Sequence, residues 1–300
     1  MILDPDDVAE ADRAKVREAL GRFRVETVAD TGATFGRVYD LLDSYFGPKG
    51  ELEARDVLAG FVENRGLPYG NGMEGHYRLL AAWDGDELVG ARDLYVDLDL
   101  SARVCVVALS HSYVVPHARR SGLAALFRAV PVSLARALTH ERLGPGEPAE
   151  ILVGAEMEPI SDDPGSIVRL VAYGKSGFVA IDPVRLPYSQ PDFRDLEPDS
   201  AHLAIPLMPI IRWLGHEHAT EIPVWLAAAF PRLFHSCHRQ YLPRERVDPS
   251  EVHALRALTR SRLPVALLQL PHRLDDHDRI APLALARVHA AYPRILRGPS

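Results

Sequence analysis

"VVPHARRSGLAALF", residues Val114 to Phe127, is the stretch of sequence that decides the fold. A strand-like run ends at Pro116, whose nitrogen cannot donate a ladder hydrogen bond. Two arginines and Gly122 follow, and an apolar helix then begins. The first turn of a helix carries unpartnered N–H groups at the positive end of its dipole, and arginine forks bind phosphate oxygens. This order of features predicts an anion site, suited to a phosphate or pyrophosphate.

Strand-like and helix-like segments alternate on both sides of this turn. The clearest hairpin is "HYRLLAAWDGDELVGARDLYVDLD", residues 76–99, in which two alternating runs meet at "DGDE". Helical spacing predicts helices over residues 5–20 and from Ser121 to His140, and "ILVGAEM", residues 151–157, reads as a buried strand. The order to residue 182 is β, α, α, β, β, β, α, β, α, β. It predicts an α+β fold with a mixed, mostly antiparallel sheet flanked by helices.

The texture of the chain changes at about residue 183. A proline-rich stretch reads as an irregular connection, and "HLAIPLMPIIRWL" and "PVALLQL" read as strands. "EIPVWLAAAFPRLFHSCHRQYL" reads as a helix kinked or split at Pro231. We therefore predict a first domain over residues 1–182 and an appended α/β region over residues 183–300, packed on the first and of unknown role.

Composition excludes several classes of function. A net charge of −7 argues against a general affinity for nucleic acid. No apolar run reaches the length that spans a bilayer, and the acidic start "MILDPDDVAEADRAK" is unlike a signal peptide, so we expect a cytoplasmic protein. Two cysteines, Cys105 and Cys237, make no disulfide framework.

The motif P-x-x-R-R-x-G-L-A resembles the acyl-CoA-binding motif of the GCN5-related N-acetyltransferase (GNAT) superfamily. Pro116, Arg119, Gly122 and Leu123 fall in step with it, and Ala124 replaces the commoner second glycine. A second stretch, "VRLVAYGKSGF", resembles the later helix of the family and places Tyr173, Gly177 and Phe178 in its pattern. The resemblance covers roughly residues 22–182.

This resemblance implies that an amine attacks the thioester of acetyl-CoA, or of another acyl-CoA, directly in a ternary complex. The pantetheine arm would lie between two splayed parallel strands, residues 107–115 and 151–157, and bond the backbone amides of Val114 and Val115. Tyr173 would protonate the leaving thiolate. The pyrophosphate would be held by the turn of Arg119, Arg120, Ser121, Gly122, Leu123 and Ala124.

The general base is open between three residues. His111 has a side chain whose ordinary pKa suits a base, and the flanking serines in "LSHSY" indicate that this part of the strand tolerates polarity. Glu156 and Glu158 end the next strand. Each also has a purely structural interpretation. His111 would be a hydrogen-bonded core histidine, and the two glutamates would lie at a solvated strand end. For Tyr173 the alternative is simple packing at a helix end.

Other signals are set aside. "GNGMEG", residues 70–75, fits a dinucleotide fingerprint by letter but lacks the strand before and the helix after it, so we read a flexible loop. We expect no metal, although histidines and a cysteine cluster at His216, His218, His235, Cys237 and His238.

The sequence thus predicts an acyl-CoA-dependent N-acyltransferase, in the first place an acetyltransferase, that acts on a small-molecule amine or an amino-terminal acceptor. We expect no nucleic-acid or membrane partner, and a homodimer is left open. The alternative is a non-catalytic module that binds acyl-CoA and serves regulation or interaction.

Overall fold

The computed structural model describes residues 3–64, 66–144, 148–161, 164–191 and 205–290. The chain forms two compact units, Met1–Ala149 and Glu150–Ser300. Within the described ranges, no helix combines the length and the apolar character that crossing a membrane requires.

The first unit is an antiparallel sheet with helices on both faces. Its strands are β1 (Arg24–Thr27), β2 (Leu67–Gly70), β3 (Met73–Asp84), β4 (Glu87–Asp99) and β5 (Val104–Val114), and its helices are α1 (Arg13–Arg22), α2 (Ala33–Phe46), α3 (Arg55–Glu63) and α4 (Leu123–Leu143). Strands β1, β3, β4 and β5 lie side by side in that order, and β2 pairs with β3. Every one of these pairings is antiparallel.

Both faces of β4 are covered, which explains why this strand is buried almost throughout. On one face, the ring of Phe61 in α3 contacts the rings of Tyr77 and Tyr95. On the other face, Arg92 donates to the carbonyl of Phe127 in α4. Because successive strand residues point to opposite faces, one apolar strand serves two helical layers.

The N-terminal segment differs from the single helix predicted over residues 5–20. Two short 3-10 turns, Pro5–Asp7 and Glu10–Asp12, precede α1. The reason is that two carboxylates turn inward to α4. Asp7 accepts from Arg136 Nε at 2.5 Å and Asp12 from Arg128 Nη2 at 2.8 Å, and both aspartates are buried.

The stretch "GNGMEG" is the turn of a hairpin, and the prediction of a flexible loop was wrong. Gly70 of β2 pairs with Met73 of β3. Between them Asn71 and Gly72 have φ values of 54° and 76°. Two successive residues with positive φ form a type I′ turn, for which Asn-Gly is the preferred sequence.

The second unit is also an antiparallel sheet with helices. Its strands are β6 (Glu150–Met157), β7 (Val179–Ile181), β8 (Tyr188–Gln190), β9 (Ile205–Trp213), β10 (Glu221–Ile222) and β11 (Val265–Gln269). Their order is β6, β9, β7, β11, β10, and β8 pairs with β9. The helices are α5 (Pro164–Gly174), α6 (Val224–Ala227), α7 (Ala229–His238), α8 (Arg244–Thr259), α9 (His277–Ile280) and α10 (Leu285–Ala290).

The predicted boundary at residue 182 does not coincide with a boundary between compact units. β9 comes from the predicted C-terminal region, yet it pairs with both β6 and β7. The units instead divide before β6, so the two strands predicted to splay, β5 and β6, belong to different units. The predicted α+β class, with mostly antiparallel strands flanked by helices, is confirmed in each unit. Residues 192–204, which include part of the proline-rich connection and the start of the strand predicted in "HLAIPLMPIIRWL", lie outside the described ranges.

The predicted helix near Pro231 is split, but the break is at Ala228, between α6 and α7. Pro231 lies in the first turn of α7, where a missing N–H costs no helical hydrogen bond. Helix α7 packs closely on β6. A Cβ on Gly154 would lie 2.4 Å from the ring of Phe230, so the strand needs a glycine where this ring approaches.

Candidate functional site

The turn between β5 and α4 is short and basic, as the sequence predicts. A 3-10 turn, Pro116–Ala118, follows β5, and its last residue, Ala118, is buried. Arg119 and Arg120 are exposed, and Arg120 has a φ of 64°, in the left-handed region that arginine rarely adopts. The hydroxyl of Ser121 donates to the Ala118 carbonyl at 2.6 Å and closes the turn.

The first helical N–H groups lie directly beyond this turn. Ala125 and Leu126 both donate to the carbonyl of Gly122 at 3.0 Å, so the N–H groups of Leu123 and Ala124 precede the first intrahelical bonds. They lie at the positive end of a helix of 21 residues. The structure therefore brings the six predicted turn residues, 119–124, together in an arrangement that can bind an anion.

Gly122 is required because a neighbouring helix packs closely against it. Its φ is 83°, and a Cβ there would lie 2.3 Å from the carbonyl oxygen of Lys15 and 3.3 Å from the Cβ of Ala19. Both belong to α1. The glycine thus lets α1 approach the turn.

The two predicted amides at the end of β5 differ in direction. The N–H of Val115 donates to the carbonyl of Val89 at 3.0 Å, so it is used within the first unit. This bond makes Gly90 and Val114 a non-hydrogen-bonded pair, and the N–H of Val114 therefore points away from β4. Of the two predicted pantetheine contacts, only Val114 retains a suitable backbone N–H. Its carbonyl accepts from Arg119 Nε at 3.1 Å.

A β-bulge lies a few residues before this end of β5. Arg92 pairs with Ser112 and Leu94 pairs with Leu109, so the register shifts by one residue between them. Two residues of β5, Ser110 and His111, consequently oppose Asp93 of β4. A bulge leaves one residue outside the ladder, turns the strand and often lies next to a functional site.

His111 lies in this bulge and is surrounded by acceptors. Its Nδ1 is 3.2 Å from Asp93 Oδ2, and its Nε2 is 2.6 Å from the carbonyl oxygen of Glu51. Burial alone lowers the pKa of His111, but the charge and hydrogen bond of Asp93, with smaller effects of Glu53 and the Glu51 carbonyl, raise it to about 10. The ring is therefore an imidazolium at neutral pH. It has no free lone pair, which disfavours its predicted role as the base.

Asp93 is the buried partner of His111 that sequence reasoning missed. The sequence does carry a signal, because Asp93, Asp97 and Asp99 alternate with apolar residues in a strand that is otherwise buried. An inward-facing carboxylate is costly unless it is paired, so such a position predicts a buried partner. The partner itself is not readable, since it lies 18 residues away across a bulge.

Within the described ranges, Glu53, Asp93 and His111 are the one group of three side chains whose nitrogen and oxygen atoms, of kinds that can bind a metal, lie within 4.8 Å of one another. The imidazolium already supplies a cation there, and this accounts for the two carboxylates without a metal. The histidines and the cysteine of residues 216–238 do not converge in this way within the described ranges.

Tyr173 lies at the end of α5 in the second unit, and a capping motif explains its spacing to Gly177 and Phe178. Phe178 N–H donates to the carbonyl of Tyr173 at 3.2 Å, and Gly177 N–H donates to that of Gly174 at 3.1 Å. These are the two bonds of a Schellman motif, and the φ of 80° at Gly177 fits it. The rings of Tyr173 and Phe178 meet edge to face at 4.9 Å. The phenol is half-buried.

The two glutamates at the end of β6 have different surroundings. Glu156 accepts from the hydroxyl of Tyr188, and its other oxygen accepts from Gln190 Nε2 at 3.1 Å. Glu158 is exposed and forms an ion pair with Arg169. Glu156 is less exposed than Glu158 and is held by two donors from β8, so it is the better oriented of the two carboxylates.

Comparison with known proteins gives similarity only at the level of solved structures. No protein-family model and no curated protein matches the chain. An acetyltransferase from Bacillus subtilis, in complex with CoA, is 19% identical over 64% of this chain and 99% of its own, with a TM-score of 0.36. A GNAT-family acetyltransferase from Staphylococcus aureus Mu50 is 14% identical over 64% of this chain and 99% of its own, with a TM-score of 0.35.

A third similar structure is an aminoglycoside acetyltransferase from an uncultured soil metagenomic sample, in complex with sisomicin. It is 15% identical over 51% of this chain and 88% of its own, with a TM-score of 0.33. At these identities and TM-scores, the likeness assigns no activity to this chain.

Proposed function

We propose that this chain is an acyl-CoA-dependent N-acyltransferase of the GNAT type, with acetyl-CoA as the donor. The observation that carries the proposal is the turn of residues 119–124. Two exposed arginines and the first N–H groups of a long helix converge there, directly after a bulged strand. This combination suits a pyrophosphate at the turn and an extended arm along the strand.

In the proposed reaction, the acceptor amine attacks the thioester carbonyl carbon of acyl-CoA. A C–N bond forms, the C–S bond breaks, and the thiolate of CoA takes up a proton. Arg119 and Arg120 bind the pyrophosphate, and the N–H of Val114 bonds the pantetheine arm. The acceptor is a small-molecule amine or an amino terminus.

Two proton transfers need their own residues. Tyr173 is proposed as the acid that protonates the thiolate, because a phenol is a donor at neutral pH. Glu156 is proposed as the base, because its carboxylate is oriented by two donors. His111 is removed from the list of bases, since the Asp93 carboxylate beside Nδ1 favours its protonated form.

Two measurements test the proposal. Titration calorimetry should detect CoA binding that weakens in Arg119→Ala/Arg120→Ala, because each charge-assisted hydrogen bond contributes roughly 1.5–3 kcal/mol. Release of free thiol from acetyl-CoA, measured with a panel of primary amines, should detect turnover.

Their outcomes separate the candidates. Unchanged CoA affinity in a folded double variant would remove the pyrophosphate assignment. Tight CoA binding without thiol release for any amine would favour the alternative, a non-catalytic acyl-CoA-binding module.

A further inference from the structure

The bulge of β5 is held by one buried carboxylate. Asp93 Oδ1 accepts from the backbone N–H of His111 at 2.6 Å, and Oδ2 faces the ring nitrogen Nδ1 at 3.2 Å. The hydroxyl of Tyr77 donates to the same Oδ2 at 3.2 Å. The Asp93 side chain is only 1% exposed. One side chain thus binds both the backbone and the ring of the residue that the bulge removes from the ladder.

The other side of the His111 ring is closed by the segment between α2 and α3. The Glu51 carbonyl accepts from Nε2, the Glu53 carboxylate lies within 4.8 Å, and the ring of Phe46 at the end of α2 packs at 4.9 Å. Every polar group that faces the ring from these elements and from Asp93 is an acceptor. Because the acceptor at Nδ1 is a buried carboxylate, the doubly protonated ring is favoured, and contacts at both nitrogens fix the ring in one orientation.

The bulge decides which backbone N–H groups beyond it point away from β4. Alternate N–H groups of a strand point to opposite neighbours, so one extra residue exchanges the two sets. With the observed register, the N–H groups of Ser112 and Val114 point away from β4. Removing the extra residue from the bulge would turn them toward β4 instead.

We propose that Asp93 is a positioning residue: by holding the backbone and ring of His111 it fixes the bulge, and so directs the N–H groups of Ser112 and Val114 at the acyl-pantetheine arm. The proposal rests on the proposed acyl transfer and deepens it. Asp93 itself does not touch the substrate. Replacing Asp93 should slow the chemical step more than it weakens binding of the pyrophosphate, because the pyrophosphate is bound at the turn of residues 119–124.

The test compares Asp93→Asn with Asp97→Asn. An asparagine at 93 keeps one acceptor for the backbone N–H of His111 but places an NH₂ group against the ring N–H. Asp97 lies on the same strand, is fully buried and accepts from the Tyr69 hydroxyl at 2.8 Å. Burial raises the pKa of Asp97 well above its usual range, so replacing this carboxyl with an amide of the same shape removes less electrostatic stabilisation than at Asp93.

We expect hydrogen exchange at the backbone N–H of His111 to rise about tenfold or more in Asp93→Asn, because a charge-assisted bond is lost. In the same variant the pKa of the His111 ring, followed by NMR, should fall below its wild-type value of about 10. The turnover number should fall about tenfold or more, while CoA affinity changes less than about threefold. Asp97→Asn should leave all four quantities near those of the wild type.

Unchanged exchange and titration in Asp93→Asn would overturn the positioning role, as would an equal loss of turnover in Asp97→Asn. If Asp93→Asn does not fold, the wild-type protein can still test the proposal. A His111 ring that titrates near 6.5 in the wild type would refute its interaction with Asp93. These NMR readouts need no acyl-CoA. A wild-type protein that shows the Asp93–His111 interaction but binds no acyl-CoA would instead refute the proposed function.

Discussion

Arg120 combines a strained backbone with a proposed ligand contact, and replacing it with glycine should separate the two. The φ of 64° lies in the left-handed region, which costs an L-residue roughly 1–2 kcal/mol and costs glycine almost nothing. Against this, glycine adds conformational freedom to the unfolded chain, worth roughly 0.4–1 kcal/mol. Arg120→Gly should therefore stabilise the fold by roughly 0.5–1 kcal/mol, which raises the melting temperature by about 1–3 °C.

The same substitution should weaken binding of acyl-CoA. Loss of a charge-assisted hydrogen bond costs roughly 1.5–3 kcal/mol. Because the Arg120 side chain is exposed, solvent and salt screen its charge, and we expect the lower end, about a tenfold rise in Kd. The difference from the wild type should shrink as salt is raised, because screening reduces the contribution that Arg120 makes.

Thermal unfolding and titration calorimetry with CoA at two salt concentrations measure both effects. Arg103→Gly is the matched control for binding, because Arg103 also has a positive φ, 54°, and lies at the other end of β5. It removes the same charge and should leave the Kd unchanged. Equal affinity of Arg120→Gly and wild type would refute the anion site, and a lowered melting temperature would refute the argument from strain.

Three further predictions concern the second unit. Tyr173→Phe should lower the turnover number about a hundredfold with unchanged CoA affinity if Tyr173 is the acid, whereas unaffected thiol release would leave the Schellman contact as its only role. A fragment of residues 1–182 lacks β9, the partner of both β6 and β7, and should aggregate; a soluble monomer by light scattering would contradict this. Burial lowers the pKa of His235 to about 4 and, with repulsion by its neighbours, that of His238 to about 3. The unfolded chain therefore binds protons first, and stability in urea titrations should fall below pH 6.5 by about 1.4 kcal/mol per pH unit for each imidazole; a flat profile from pH 6.5 to 4.5 would contradict it.

Local features of the fold could be read from the sequence because neighbouring residues determine them. The hairpin of β3 and β4, the turn of residues 119–124 and the helix that follows each depend on contacts within a short stretch of chain. Even the error at residues 70–75 has a local remedy, since Asn71 and Gly72 are a known signal for a type I′ turn. Gly122 shows the limit, because the helix that requires it lies about a hundred residues earlier in the chain.

Long-range pairing could not be read in the same way. β9 lies between β6 and β7, although β7 precedes it in the chain. Alternating apolar residues identify such a strand but not its neighbours, so the predicted domain boundary fell inside one sheet. The bulge of β5 is similar, since a single extra residue is visible only when the opposing strand is known.

His111 and His235 show why the chemistry of a side chain depends on such distant partners. Each ring has acceptors at both nitrogens: Asp93 and the Glu51 carbonyl for His111, and the Pro231 and Ser189 carbonyls for His235. Burial lowers the pKa of both rings, and two neutral carbonyls do not reverse that effect for His235. A buried carboxylate does reverse it for His111. The charged partner of His111 thus favours its cationic form, whereas His235, which has no such partner among its two acceptors, is neutral. In the candidate site, this difference makes His111 unsuitable as a base and suits it to the proposed role of holding the bulge of β5 together with Asp93.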